Sequence, residues 1–185
     1  MPKIAEIEYT PNPNAVKFIL KEPVAVGFPR SYPDREAAAA DPLAKALFET
    51  GNVVSVFMQD RWLTVTKTPE VPWSEMLPRL APPIRSAPSA SGGAPASTPS
   101  AMPTTWSGED DPLLERVRTA LEETILPALA ADGGGLEVVG RQDMRVLIRY
   151  HGACSTCPAG LGGTLMAIEA ILQRDVDPNL TVLTV

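Results

Sequence analysis

From Ser86 to Gly108 the chain carries no charged side chain and consists mostly of Ser, Ala, Pro, Gly and Thr. Such a stretch buries too little apolar surface to offset the entropy of ordering it, so it reads as a disordered Ser/Ala/Pro-rich linker. Pro88, Pro95, Pro99 and Pro103 extend it, while Gly92 and Gly93 leave it bendable. The chain is therefore expected to fold as two small bodies, residues 1–85 and 109–185, each with its own core.

Charge divides at the same place. Ahead of the linker ten Lys and Arg balance ten Asp and Glu; from Glu109 onward six Arg face twelve acids without a Lys, so the net charge of -6 lies in the second body. Clustered cations able to neutralise phosphates are missing, which argues against nucleic acid as a partner. No run approaches the ~20 apolar residues needed to cross a bilayer, and Met1–Glu6 shows no basic head before an apolar stretch. A cytoplasmic protein with no membrane partner is the expectation.

In the first body, Ile4–Tyr9 and Val16–Leu20 read as strands around the turn Pro11-Asn12-Pro13-Asn14. Asp41-Pro42 supplies an N-cap and a proline at the first helical position, opening a helix through Leu43–Phe48 that Gly51-Asn52 stops. Val53–Met58 and Trp62–Thr66 flank Gln59-Asp60-Arg61 as a hairpin, and a last helix starts near Trp73. Tyr9, Phe18, Phe48, Phe57 and Trp62 are assigned to the core, and Trp73 to the surface. With neither Cys nor His before the linker, no catalytic constellation is visible there.

The second body repeats the device at Asp111-Pro112, ahead of apolar residues at Leu114, Val117, Leu121 and Ile125. Pro127 kinks or restarts this helix, and the turn Asp132-Gly133-Gly134-Gly135 ends it. Leu136–Val139 and Arg145–Tyr150 follow as an antiparallel pair around Arg141-Gln142-Asp143. Val146, Ile148 and Tyr150 share one face, with Arg145 and Arg149 on the other. A cysteine loop comes next, then a helix striped by Leu161, Leu165, Ile168 and Leu172, then the strand Thr181–Val185. The fold class is α+β: two small α/β-sandwich-like domains joined by the linker.

Cys154 and Cys157 are the only cysteines, set in Gly152-Ala153-Cys154-Ser155-Thr156-Cys157-Pro158 between a strand and a helix. A CxxC spacing turns both sulfurs towards one point, and the start of a helix favours thiolate, the metal-binding form, over thiol. Gly152, Pro158 and Gly160 shape the loop without ligating. Three chemistries stay open on spacing alone. A dithiol-disulfide oxidoreductase is one, although only 28 residues follow Cys157, too few for the rest of a thioredoxin sheet. A zinc site with His151 as third ligand is another. The third is an iron-sulfur cluster, which wants about four protein ligands. One chain cannot supply four cysteines, whereas two chains about a twofold axis can.

Leu126-Pro127, Asp132-Gly133-Gly134, Gly152–Pro158 and Thr164-Leu165 stand in the order found in the Nfu proteins, the NifU-like iron-sulfur cluster scaffold and carrier family, which this part of the chain resembles. Pro11-Asn12-Pro13-Asn14, Pro42–Phe48, Val56-Phe57 and Thr64–Lys67 resemble the Nfu N-terminal domain. The resemblance implies a scaffold or carrier rather than an enzyme. It implies that Cys154 and Cys157 ligate iron and that a homodimer shares a 4Fe-4S cluster, with 2Fe-2S as the smaller form. Upstream donors would supply the cluster and apo iron-sulfur clients would take it. Leu126, Gly135 and His151 depart from the family pattern, where an Arg, an Asp and another polar residue are common; none of these departures removes a cluster ligand, and whether His151 tunes or weakly caps the cluster stays open on sequence. The first domain is expected to recognise clients or donors.

Overall fold

The computed structural model describes residues 2–26, 29–87, 111–156 and 160–185, which form two compact units. Linker residues 88–108 lie outside the described residues. Ser86 ends a helix and Ala87 is buried, so both residues belong to the first unit and not to the linker.

Unit one is a five-stranded antiparallel sheet of β1 (Ile4–Tyr9), β2 (Ala15–Leu20), β3 (Arg30–Tyr32), β4 (Val53–Gln59) and β5 (Trp62–Lys67), in the order β1-β2-β5-β4-β3. The helices α1 (Pro42–Glu49) and α2 (Trp73–Ser86) pack on one face. Val16, Phe18, Val56, Met58, Leu63 and Val65 meet Leu43, Leu47, Met76, Leu80 and Ile84 there, and all are buried. The cap read from Asp41 is present: its carboxylate accepts from the N–H groups of Leu43 and Ala44, and Tyr32 donates to it at 2.7 Å. Burial and the adjoining Asp41 together push the Tyr32 phenol well above its ordinary range.

Three expectations are corrected. β3 was not anticipated, because three residues between Pro29 and Pro33 carry no alternation to read. Tyr9, assigned to the core, is 71% exposed, since it lies on the edge strand. Trp73, assigned to the surface, is half-buried: its indole donates to the Pro13 carbonyl at 2.9 Å and the Lys67 ammonium lies 5.2 Å from its ring centre. Phe18, Phe48 and Phe57 are buried as expected, and Trp62 is half-buried.

Unit two runs α3 (Pro112–Thr124), α4 (Leu126–Ala131), β6 (Gly134–Gln142), β7 (Arg145–Gly152), α5 (Gly160–Asp175) and β8 (Thr181–Thr184). Pro127 stands in the first turn of α4, where the N–H it lacks would have had no helical partner, and so restarts the helix. β6 and β7 pair antiparallel, and α5 then crosses over to lay β8 parallel to β7. Val146, Ile148 and Tyr150 of β7 join Val117, Leu121, Ile168, Leu172 and Val182 in the core. The strands reach further than their apolar runs. Gly134 and Gly135, read as turn, pair with Gly152 and His151, and the hairpin turns at Asp143-Met144, where Asp143 is left-handed at φ 54°.

Asp111 caps α3, accepting from the Leu113 N–H at 2.9 Å, and is ion-paired with Arg141. The Arg141 hydrogen bond leads in holding this carboxyl below its ordinary range, against the opposing effect of burial. A carboxyl depressed on folding stabilises the fold above its unfolded pKa and loses that contribution as pH falls through the folded value. Unit two is therefore expected to lose stability on acidification below about pH 4. Asp111→Asn, which keeps a capping oxygen, should lower stability at neutral pH and flatten this acid limb. Melting curves across pH check it, and parallel limbs would refute the assignment.

Candidate functional site

β7 ends at Gly152, which turns the chain at φ 63°, a left-handed conformation that suits a residue without Cβ. A short 3-10 turn, Ala153–Thr156, follows where a plain loop was expected. Two hydrogen bonds pin it: Ala153 N–H donates to the Gly133 carbonyl at 3.2 Å, and the Ser155 hydroxyl to the Gly152 carbonyl at 2.8 Å. Cys154 sits on this turn, half-buried, with its thiol against the edge of the core. Cys157, Pro158 and Ala159 lie outside the described residues, and Gly160 opens α5.

Gly134 is the neighbour that fixes the sulfur. A Cβ at this position would lie 2.4 Å from Cys154 Sγ and 2.9 Å from both the Cys154 nitrogen and the His151 carbonyl oxygen. The absent side chain is the space that the cysteine occupies. Alternation along β6 and β7 puts Gly134, Leu136 and Tyr150 on one face of the sheet, so Sγ lies on the core side beside Tyr150. Tyr150 is 8% exposed, and its hydroxyl has no hydrogen-bond partner among the described residues. Burial first, and the Cys154 sulfur second, push its phenol up to about 12.

His151 belongs to the other face. Its Nε2 lies 3.2 Å from Glu137 Oε2, and Arg149 approaches the same oxygen at 3.9 Å. The hydrogen bond to His151 leads, with the charges of His151 and Arg149, in holding the Glu137 carboxyl below the usual carboxylate range against burial. Alternation thus directs the imidazole away from the side of the sheet where Cys154 Sγ sits. Among the described residues no group of three or more His, Cys, Asp or Glu side chains converges as a metal site.

The site therefore brings Cys154 together with Gly152, as expected, and adds Gly134 and Tyr150. Gly134 carried a signal that was read differently: a glycine inside a strand marks close approach of another atom, but three glycines after an Asp look like a turn. Tyr150 read as one more core residue. What the arrangement offers chemically is a soft sulfur donor in an apolar setting, a ligand type that selects Fe–S clusters, zinc or Cu(I) over hard cations.

Two family models match the chain. The model described as scaffold protein Nfu/NifU N terminal takes in residues 4–90, and that of the NifU-like domain takes in residues 117–183. The chain is 33% identical over 168 residues to the NFU1 iron-sulfur cluster scaffold homolog, mitochondrial, of Homo sapiens, covering 89% of this chain and 65% of that protein. It is 30% identical over 177 residues to NifU-like protein 4, mitochondrial, of Arabidopsis thaliana, covering 92% of this chain and 62% of that protein. The match thus spans a little under two thirds of either relative. A solution structure of a NifU-like protein from Saccharomyces cerevisiae aligns at 24% identity and a TM-score of 0.37, over 43% of this chain and 72% of that one.

Proposed function

We propose that this chain, which belongs to the Nfu/NifU-like iron-sulfur cluster scaffold family, holds a 4Fe-4S cluster between two copies through Cys154 and Cys157 and passes it to apo iron-sulfur proteins. The observation that carries the reading is the seating of Cys154. It is a thiol fixed over Gly134 at the end of β7, in a chain with only one other cysteine. Two thiolates per chain are half of a cluster site, and a second copy completes it. A 2Fe-2S cluster is the smaller cargo the same ligands would take.

Hand-off follows from the ligand count. The cluster is cargo, and incoming thiols of a client replace its ligands one at a time while departure of one subunit frees half the site. The role is that of a carrier supplied by upstream donors, with no substrate turned over as an enzyme would. The first unit, whose edge strand β1 exposes Tyr9, is assigned to recognising clients or donors. The work is placed in a reducing compartment, the cytoplasm, where both thiols persist; the two named relatives are mitochondrial proteins. Among the described residues no helix is long and apolar enough to cross a membrane.

Anaerobic reconstitution with iron and sulfide, followed by visible absorption and Mössbauer spectroscopy and then incubation with an apo 4Fe-4S enzyme, tests the reading. The client is expected to gain activity as the carrier bleaches, faster than from free iron and sulfide. A colourless monomer that retains zinc, or a reversible disulfide formed without iron, would replace the carrier reading with a zinc module or a dithiol oxidoreductase.

A further inference from the structure

A tyrosine at position 150 is an uneconomical choice for a core. It belongs to the same buried apolar cluster as Val146, Ile148 and Leu172, where a phenylalanine would serve as well. The hydroxyl is the difference, and it is buried with no partner among the described residues. A buried hydroxyl without a partner keeps its desolvation cost and gains nothing for it, and buried tyrosines ordinarily find an acceptor.

The register shows what lies beside it. Tyr150 pairs with Leu136, and the next pair on the same face, towards the end of β7, is Gly134 with Gly152. Sγ of Cys154 stands over Gly134, where a Cβ would lie 2.4 Å from it. The phenol and the sulfur thus stand side by side above adjacent same-face pairs, a diagonal spacing within reach of an aromatic side chain. The core-facing side of Cys154 thus adjoins the strand position that carries this unpartnered hydroxyl.

Building on the carrier reading, we infer that Tyr150 is a positioning residue for the cargo: its hydroxyl donates a hydrogen bond to the Cys154 thiolate, or to a cluster sulfide bound there, once the cluster is loaded. A hydrogen bond to ligand sulfur withdraws electron density from it. That raises the reduction potential of an Fe–S cluster and stabilises the thiolate that must be released at hand-off. His151 does not fill this role, because its ring is turned to Glu137 on the opposite face.

The test is Tyr150→Phe in the full-length chain, measured first without cargo and then after anaerobic reconstitution of both proteins. Without cargo the variant should melt at the same or a higher temperature than the parent, because the hydroxyl it loses has no partner. After loading, its midpoint potential should move negative, its Fe–S(Cys) stretching bands should move to higher frequency in resonance Raman spectra, and transfer to an apo client should slow about tenfold, as expected for one lost charge-assisted hydrogen bond. A lower melting temperature without cargo would assign the hydroxyl a purely structural partner and overturn the inference. So would an unchanged potential and Raman spectrum in a loaded variant. A parent chain that takes up no cluster sinks the carrier reading itself, and the inference with it, whereas a parent that loads beside an indifferent variant sinks the inference alone.

Discussion

Cys154→Ala is expected to abolish cluster loading while leaving the fold in place. In a dimer each copy loses one ligand, so two of the four thiolates that a shared cluster wants disappear at once, and no nearby group replaces them. His151 is turned towards Glu137, and no His, Cys, Asp or Glu cluster stands in reserve among the described residues. The fold should tolerate the change because Cys154 is half-buried on a short turn held by backbone groups and Ser155. Losing a small sulfur at the edge of the core costs on the order of 1 kcal/mol, well within the margin of a folded domain. Iron and sulfide content per chain after reconstitution, read beside circular dichroism, checks it. A variant that keeps its cluster would remove Cys154 from the ligand set.

Gly134→Ala is the second large effect, and it reaches the same sulfur from below. The added methyl would lie 2.4 Å from Cys154 Sγ and 2.9 Å from two backbone atoms, Cys154 N and His151 O. A flexible side chain yields cheaply, but here two backbone atoms on β7 and its following turn must also move. The expected cost is about 1–3 kcal/mol of stability in unit two, with displacement of Cys154 and loss of most cluster loading. Gly162→Ala is the control. A Cβ there meets nothing within 4 Å, and Ala is favoured over Gly in a helix by about 0.5–1 kcal/mol, so this variant should be neutral or slightly stabilised. Thermal melts of the two variants, with cluster content, distinguish a defect of the cradle from a general intolerance of glycine replacement.

Features that were legible in the chain are those whose physics is local. Asp41-Pro42 and Asp111-Pro112 announced helix starts because a capping carboxylate and a proline act within three residues, and both caps form as read. Alternation at Val146, Ile148 and Tyr150 assigned the core face of β7 because period two is a property of one strand. What escaped depends on partners far away in sequence. Trp73 is tied down by Pro13, sixty residues earlier, and nothing beside Trp73 in the chain betrays that. Tyr9 is exposed because β1 lies at the sheet edge, and edge position is a fact of topology.

The same division runs through the site. The CxxC spacing singled out Cys154 and Cys157 as candidate ligands, and two per chain are half of what a shared cluster wants. Gly134 and Tyr150 became visible only when β6 was paired with β7 to its last residue. One leaves room for the sulfur and the other brings a donor beside it, and both roles exist only across strands. His151 shows the converse, since its nearness in sequence to Cys154 suggested a third ligand that strand alternation points away.

Native mass spectrometry of the anaerobically reconstituted full-length chain tests the central claim most directly, because it weighs chains and cargo together. Two chains carrying one 4Fe-4S cluster, collapsing to metal-free single chains when Cys154 is replaced by alanine, is the predicted result. A single chain that holds its metal alone, or a dimer that persists with no iron and sulfide between its subunits, would contradict it.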